Sequence, residues 1–418
     1  MIGNSQLYSN AMREKILVVV GCALGAALFF MAWRVDAPRG VPGGNAEPAT
    51  TSTLPIRPPR LPAPERGDGG QALVSLRWEQ SSSSTIPWGA RDSHALAVFK
   101  DALWLMGGLD GNGLVTRDKF GEHVEYWRAP HFDDVWMSTD GYNWKLITDN
   151  APWGKRRSAQ AVEFKGKLWL MGGWGPEIGY HSDVWSSEDG VRWEEATAKA
   201  EWPAREGHSL AVWQDKLWLI GGVRYDLRTT FSDVWSSADG SNWERVTDNA
   251  PWLSRWDHAA VAFQNRLYLT AGMDLRGNTF HDVWVSDDGA RWELITNNPP
   301  WRERQGHVLL DYRGALWMVG RLNDADSGNG PARQQPTPRL QTPGASATGG
   351  QAQALAGGPN DIWFTKDGVA WEKTDADPPW LGREDHGAVV WRDKIWVTGG
   401  MDSKWQWGSD VWYSTLEE

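Results

Sequence analysis

The chain has 418 residues, with 53 acidic against 42 basic side chains and a net charge of −11. That balance excludes general nucleic-acid binding, which needs a basic surface. A single cysteine, Cys22, excludes an intrachain disulfide.

In chain order, 1–15 is a polar tail expected in the cytoplasm. Ile16 to Trp33 is an apolar run without a charge, just long enough to span a bilayer and longer than the apolar core of a usual signal peptide. No small-x-small cleavage site follows, so the run reads as an uncleaved, single-pass signal anchor in an inner membrane. A cleaved signal peptide, or lipidation at Cys22 after Val19-Val20-Gly21, are the alternatives. Arg13 and Lys15 on one side balance Arg34 and Arg39 on the other, so charge does not orient the span. The remainder follows an N-terminal anchor and is placed in the periplasm or outside the cell. Residues 34–72, crowded with Pro, Gly, Ser and Thr, read as a disordered tether.

From Leu73 to Glu418 one unit recurs six times. Its parts keep their order: R-x-x-H, an apolar run, a second run ending in Gly-Gly, D-V-W, S-x-D-G-x-x-W, then Pro-Trp before the next Arg. The leading arginines are Arg91, Arg157, Arg205, Arg255, Arg304 and Arg383, and the middle four stand 48, 50 and 49 residues apart. Each unit reads as four short strands: in the third, His208 to Trp213, Lys216 to Ile220, Asp233 to Ser237 and Trp243 to Thr247, with a tight turn at Gln214-Asp215. Runs this short are strands rather than helices. A four-stranded sheet cannot bury both faces alone, but blades packed around an axis can. The paired tryptophans, such as Trp235 and Trp243, are expected between neighbouring blades.

The sixth unit ends soon after Trp412 and lacks a fourth strand. An orphan one, Leu76-Arg77-Trp78-Glu79, lies before the first unit. It is expected to complete the last blade and remove two open sheet edges. The fold class is therefore all-β: a six-bladed propeller over 73–418, closed by an N-terminal strand.

The R-x-x-H, Gly-Gly and spaced aromatics resemble the kelch repeat, with Trp where kelch usually has Tyr, and the period near 50 agrees. The resemblance covers Trp78 to Tyr413 and implies a propeller of the galactose oxidase central-domain kind. It is weak for function, since kelch propellers serve both as protein-binding scaffolds and as parts of sugar-active enzymes. Segments such as Ser138 to Trp144 resemble the Asp-box of sialidase-like propellers, one residue short. Asp140, Asp189, Asp239, Asp288 and Asp367 are read as staples of their hairpins. A copper radical enzyme of the galactose oxidase type needs a propeller cysteine, and none is present. The arginine motif of a sialidase is missing too.

Two insertions interrupt the period. Leu109 to Phe132 carries His123, Tyr126, Trp127 and His131 and is expected to be ordered and functional. Residues 321–359, rich in Gly, Ala, Gln and Pro, are expected to be disordered. Glu122, His123, Glu125, His131 and Asp133 match no metal spacing, so no metal or cofactor is expected.

The turn before strand one and the loop after strand two should share a face. That places the six arginines around the axial mouth, with Trp88, Trp153, Trp202, Trp252, Trp301 and Trp380 beside them and Tyr225 and Trp405 among the variable loops. Guanidinium beside indole suits an anionic or sugar-like ligand. Pairing of these arginines with Asp134 or Asp183 is the competing reading. The histidines are expected to bond backbone within their blades, with Gln160 standing in for His in the second. The leading function is recognition of a protein or glycan on this face, without catalysis. The alternative is a sugar-acid mutarotase or epimerase, or a glycoside hydrolase, using the same mouth.

Overall fold

The computed structural model describes residues 76–81, 86–118, 121–320 and 360–416. The tail, anchor and linker expected over 1–72 and the insertion at 321–359 lie outside them. Among the described residues no helix is long and apolar enough to cross a membrane.

Six four-stranded antiparallel sheets form the six blades. Blade 3 shows how the repeat becomes structure. Its strands are Ser209–Trp213, Lys216–Ile220, Val234–Ser237 and Glu244–Thr247. Gln214 and Asp215 both have positive φ, 48° and 56°. A two-residue turn of that hand matches the twist of the strands it joins. The first strands of all six blades line an axial channel of about 330 Å³.

The ring closes as the orphan strand predicts. Leu76–Gln80 lies antiparallel to Val411–Leu416, with Trp78 opposite Ser414 and Gln80 opposite Trp412. Blade 6 is therefore Gly387–Trp391, Lys394–Thr398, Val411–Leu416 and Leu76–Gln80, drawn from both ends of the propeller. The Ser81 N–H extends the seam by donating to Val411 O at 2.8 Å.

The apolar clusters straddle blade boundaries. One joins Phe164, Trp169, Leu217 and Leu219 to Trp202, Trp235 and Trp243. The next joins Trp213, Trp218 and Ile220 to Trp252, Trp284 and Trp292. The D-V-W and fourth-strand tryptophans thus pack on the blade before their own, and the strand-two tryptophans on the blade after. Within this layer the Pro-Trp ring meets the fourth-strand Trp edge-on: Trp202 to Trp243 and Trp252 to Trp292, each at 6.0 Å between centroids. Such pairs add roughly 0.5–1.5 kcal/mol beyond the area they bury.

The Asp-box-like turns are staples. Asp239 Oδ1 accepts the N–H groups of Ser241 and Asn242, each at 2.8 Å, and Ser237 Oγ accepts the Gly240 N–H at 2.8 Å. Their glycine does a second job. Gly190 has φ of 75° and lies so close to the ring of Trp104, in the preceding blade, that a Cβ there would collide with it. The staple therefore fixes the hairpin and also seats one blade against the next.

Candidate functional site

The arginine of each unit points into its blade. Arg205 is fully buried and donates to Asp233 Oδ1 and Oδ2 at 2.5 and 2.8 Å, to Gly221 O at 2.8 Å and to Pro203 O at 2.9 Å. Asp233 Oδ2 also accepts the Trp235 indole N–H at 2.8 Å. This Arg–Asp–Trp lock recurs as Arg91–Asp134–Trp136, Arg255–Asp282–Trp284 and Arg383–Asp410–Trp412, and Arg304 pairs with Asp361 at 3.1 Å. The expected pairing with Asp134 is found, through Arg91, whereas Asp183 is paired by an arginine outside the six. The expected guanidinium-lined mouth is not found: these five arginines spend their donors inside the blades. Trp88, Trp202 and Trp252 likewise lie in the core, 1%, 1% and 2% exposed.

Blade 2 corrects the frame by one residue. Its lock is Arg156 with Asp183, at 2.8 Å, and not Arg157. Ala159, not Gln160, then occupies the His place, because Gln160 begins the first strand opposite Met171, as Ser209 does opposite Ile220. Spacing alone could not separate two adjacent arginines. The displaced Arg157 is the one sequence-predicted arginine that reaches the mouth.

The histidines are structural but bridge blades instead of bonding within them. His94 Nε2 bonds Thr398 Oγ1 of blade 6, and His307 Nε2 bonds Thr270 Oγ1 of blade 4, each at 2.8 Å. The ring of His208 packs where a Cβ on Gly172 of blade 2 would stand, 2.6 Å from Cε1. Burial holds all five imidazoles neutral, pushing His208 and His386 down to about 3.

The two residues between Arg and His build the mouth. The second of them takes positive φ in every blade: Ser93 51°, Ser158 52°, Gly207 62°, Asp257 49°, Gly306 58° and Asp385 55°. Short polar side chains and Gly are the residues that tolerate this region. The conformation turns each backbone toward the axis, where neighbours bond. Ser158 N–H donates to Ser93 O at 2.7 Å, Asp257 to Gly207 O, Gly306 to Asp257 O and Asp385 to Gly306 O, each at 2.9 Å, and Ser93 to Asp385 O at 2.8 Å. The glycines make room for carboxylates. A Cβ on Gly207 would stand 2.8 Å from Asp257 Oδ1, and one on Gly306 2.6 Å from Asp385 Oδ1.

The first of the two residues pairs with the chain just after Gly-Gly: Asp92 with Leu109, Arg157 with Trp174, Glu206 with Val223, Trp256 with Met273, and Glu384 with Met401. The turn before strand one and the loop after strand two do share a face. Above the backbone ring stand Asp92, Arg157, Glu206, Trp256, Gln305 and Glu384. Arg157 donates to Glu206 Oε2 at 2.9 Å and lies over Tyr126 and Trp174, 5.1 and 5.0 Å from their centroids. Gln305 donates to Glu384 Oε2 at 3.1 Å. Asp92 is 2% exposed, and its Oδ1 accepts no hydrogen bond.

The loops wall this bowl with aromatic rings. Tyr225 meets Trp256 edge-on at 5.3 Å, and its N–H donates to the Tyr180 hydroxyl at 2.9 Å. Trp405 and Tyr126 pack around Leu109, Met401 and Trp407. Asn112, in the first insertion, exchanges two hydrogen bonds with the Trp407 backbone, so the described part of that insertion is ordered and fastened to blade 6.

The mouth is acidic. Among the described residues Asp92, Asp257 and Asp385 form no ion pair. Burial pushes all three carboxyls up, Asp385 to about 6; Asp385 raises Asp92 and Asp257 further, and Arg157 draws all three down. Burial also raises the phenol of Tyr126, helped by Asp92, Glu384 and Asp385. Sequence reasoning passed over these acids. The available signal was variability: inside a constant R-x-x-H frame, x-x reads Asp-Ser, Arg-Ser, Glu-Gly, Trp-Asp, Gln-Gly and Glu-Asp.

His131, near the end of the insertion, has its Nδ1 bonded to Ala129 O at 2.8 Å and its ring 5.2 Å from Trp174. Burial lowers it to about 4. Among the described residues no group of three or more His, Cys, Asp or Glu is placed to hold a metal ion. The side chains of Glu122 and His123 lie outside them.

Compared with known proteins, the chain is matched by no family model and by no curated sequence. The six-bladed architecture rests on the strand pairing itself.

Proposed function

We propose that this chain is a kelch-like propeller tethered outside an inner membrane through residues 16–33, acting as a non-catalytic recognition module for a protein or glycan. The ligand site in this reading is the axial mouth on the R-x-x-H face. The observation that carries it is Asp92. A buried carboxyl with an unbonded oxygen is costly in a folded protein, and Asp92 lies near Tyr126 and Trp407. The buried arginines a few residues away are, by contrast, ion-paired with aspartates inside their blades.

The test is a glycan array together with a pull-down, using the full chain in detergent. Capture should be lost on Asp92→Asn combined with Trp256→Ala, while the circular dichroism spectrum is kept. Capture that survives both substitutions removes the mouth as the site.

A second reading, a sugar-acid mutarotase or epimerase or a glycoside hydrolase at the same mouth, is favoured by Asp385. A carboxyl raised to about 6 titrates near neutrality, as a general acid or base requires. Anomer exchange or hydrolysis followed by NMR on uronic acids and their glycosides separates the two. Turnover abolished by Asp385→Asn would make the protein an enzyme; absence of turnover leaves recognition.

A further inference from the structure

We infer that the mouth is built to hold a guanidinium, and that its ligand is an arginine side chain presented by a protein partner. This rests on the reading of the mouth as the binding site and deepens it by naming the group recognised.

The charge balance is the starting point. Asp92, Asp257 and Asp385 converge on the axis from blades 1, 4 and 6, and none has an ion-pair partner among the described residues. The positions of two of them are fixed by packing, since the Asp257 and Asp385 carboxylates lie over Gly207 and Gly306 of the blades before them. Asp92 Oδ1 is buried and accepts no hydrogen bond; the Trp407 indole N–H and the Ser93 hydroxyl approach this side chain without bonding that atom. Carboxylates held in a protein without a direct ion-pair partner are stabilised by an incoming cation that also donates hydrogen bonds.

The kind of cation follows from two further observations. First, these acids do not gather tightly enough to make a metal site among the described residues. They are distributed around a backbone ring, which suits a planar group with several donors pointing outward better than a point charge. Second, the chain already shows how this mouth holds such a group. Arg157 enters it from blade 2, bonds Glu206 through Nε and Nη2, and lies over Tyr126 and Trp174. Asp92, Asp257 and Asp385 supply further carboxyls around the same axis, from blades 1, 4 and 6, all within the electrostatic reach of Arg157. Trp256 and Tyr225 repeat the aromatic half of that arrangement, and Tyr225 is 42% exposed at the rim.

The geometry also selects the source. Asp92 is 2% exposed, so the ligand's charge must reach below the aromatic rim. A guanidinium on a slender apolar stem does so. A charge attached directly to a sugar ring would be held off by the ring's width.

The experiment titrates the full chain in detergent, by calorimetry, with Nα-acetyl-arginine methylamide. Four controls follow: the citrulline equivalent, which keeps the shape without the charge, the lysine equivalent, glucosamine and calcium chloride. The arginine probe should bind at least about 10-fold more tightly than the citrulline probe, and Asp92→Asn and Asp257→Asn should each weaken it about 10- to 100-fold, the range for hydrogen bonds to charged groups. Both substitutions remove a carboxylate that has no ion-pair partner and keep its shape, so the variants are expected to fold, and circular dichroism checks this.

Equal binding of the arginine and citrulline probes overturns the inference. So does arginine affinity untouched by both substitutions, or tighter binding of the lysine probe, glucosamine or calcium. The broader reading fails separately. A glycan or protein captured through Asp92 and Trp256 while the arginine probe is ignored keeps the mouth and sinks the guanidinium. Capture that needs neither residue sinks both.

Discussion

Trp78 packs edge-on against Trp380, with ring centroids 4.8 Å apart and planes at 83°. In blades 1 to 5 the same contact joins a fourth-strand Trp to the Pro-Trp ring just before the leading Arg of that blade, as Trp144 does with Trp88 and Trp371 with Trp301. Trp78 therefore fills the place that the sixth unit leaves open, across the junction of the two ends of the propeller.

Trp78 is half-buried, so Trp78→Ala should destabilise the propeller by about 2–3 kcal/mol, below the usual ~3–5 kcal/mol for removing a fully buried aromatic ring. The open edge of Val411–Leu416 would then invite association. A lowered denaturant midpoint together with higher-order species in size-exclusion chromatography is the expected pair of results. An unchanged midpoint would mean that the seam carries little of the stability.

Arg205→Met should unfold or strongly destabilise blade 3, by about 3–5 kcal/mol, because it leaves the Asp233 carboxylate in the interior with only the Trp235 indole N–H as a partner. Arg205→Lys should rescue little, since a point charge cannot satisfy both carboxylate oxygens and the Gly221 carbonyl. Thermal melts of the two variants decide it. A variant that keeps the wild-type melting temperature would show the lock to be dispensable.

Gly154 and Gly190 offer a controlled contrast, since both have φ of 75°. Nothing lies within 4 Å of a Cβ on Gly154, so Gly154→Ala should cost only the left-handed conformation, about 1–2 kcal/mol. Gly190→Ala adds a collision with the Trp104 ring of the neighbouring blade and should cost clearly more. Equal losses in urea titrations would remove the close approach as the reason for this glycine.

Stability should fall in mild acid. His94, His208, His258, His307 and His386 have folded pKa values below the unfolded value of about 6.5. Above that pH both states are neutral and nothing is lost. Below it the unfolded chain takes up protons that the folded chain refuses, at about 1.4 kcal/mol per pH unit and histidine. For His208 and His386 the loss continues down to about 3.

Asp385 has the opposite sign. Its folded value, about 6, lies above the unfolded one, so its contribution is full below the ordinary carboxyl range and is lost as pH rises through 6. Asp92 and Asp257 share that direction. His208→Gln should therefore flatten the acid limb, and Asp385→Asn should raise stability at pH 8. Urea midpoints between pH 4 and 8 test both.

The strand positions, the number of blades and the closing strand were legible in the residues because each depends on local periodicity. Apolar runs of five, a turn pair such as Gln214-Asp215 and a Trp at a constant offset define a hydrogen-bonded ladder wherever the chain folds. The closing strand was legible for the same reason: Leu76 to Glu79 carries the fourth-strand pattern without a blade of its own.

The site was decided by tertiary structure. Arg156 and Arg157 are equivalent by spacing, and only the blade shows that the first reaches Asp183 while the second turns to the axis. A repeated Arg beside a repeated Trp reads as a lined mouth until packing places both in the interior. The acids at the axis face one another only because a positive φ beside each conserved turn of the frame brings six separate blades to one ring. Periodicity specifies what each blade does alone; the meeting of side chains from blades far apart in sequence exists only once the ring has closed.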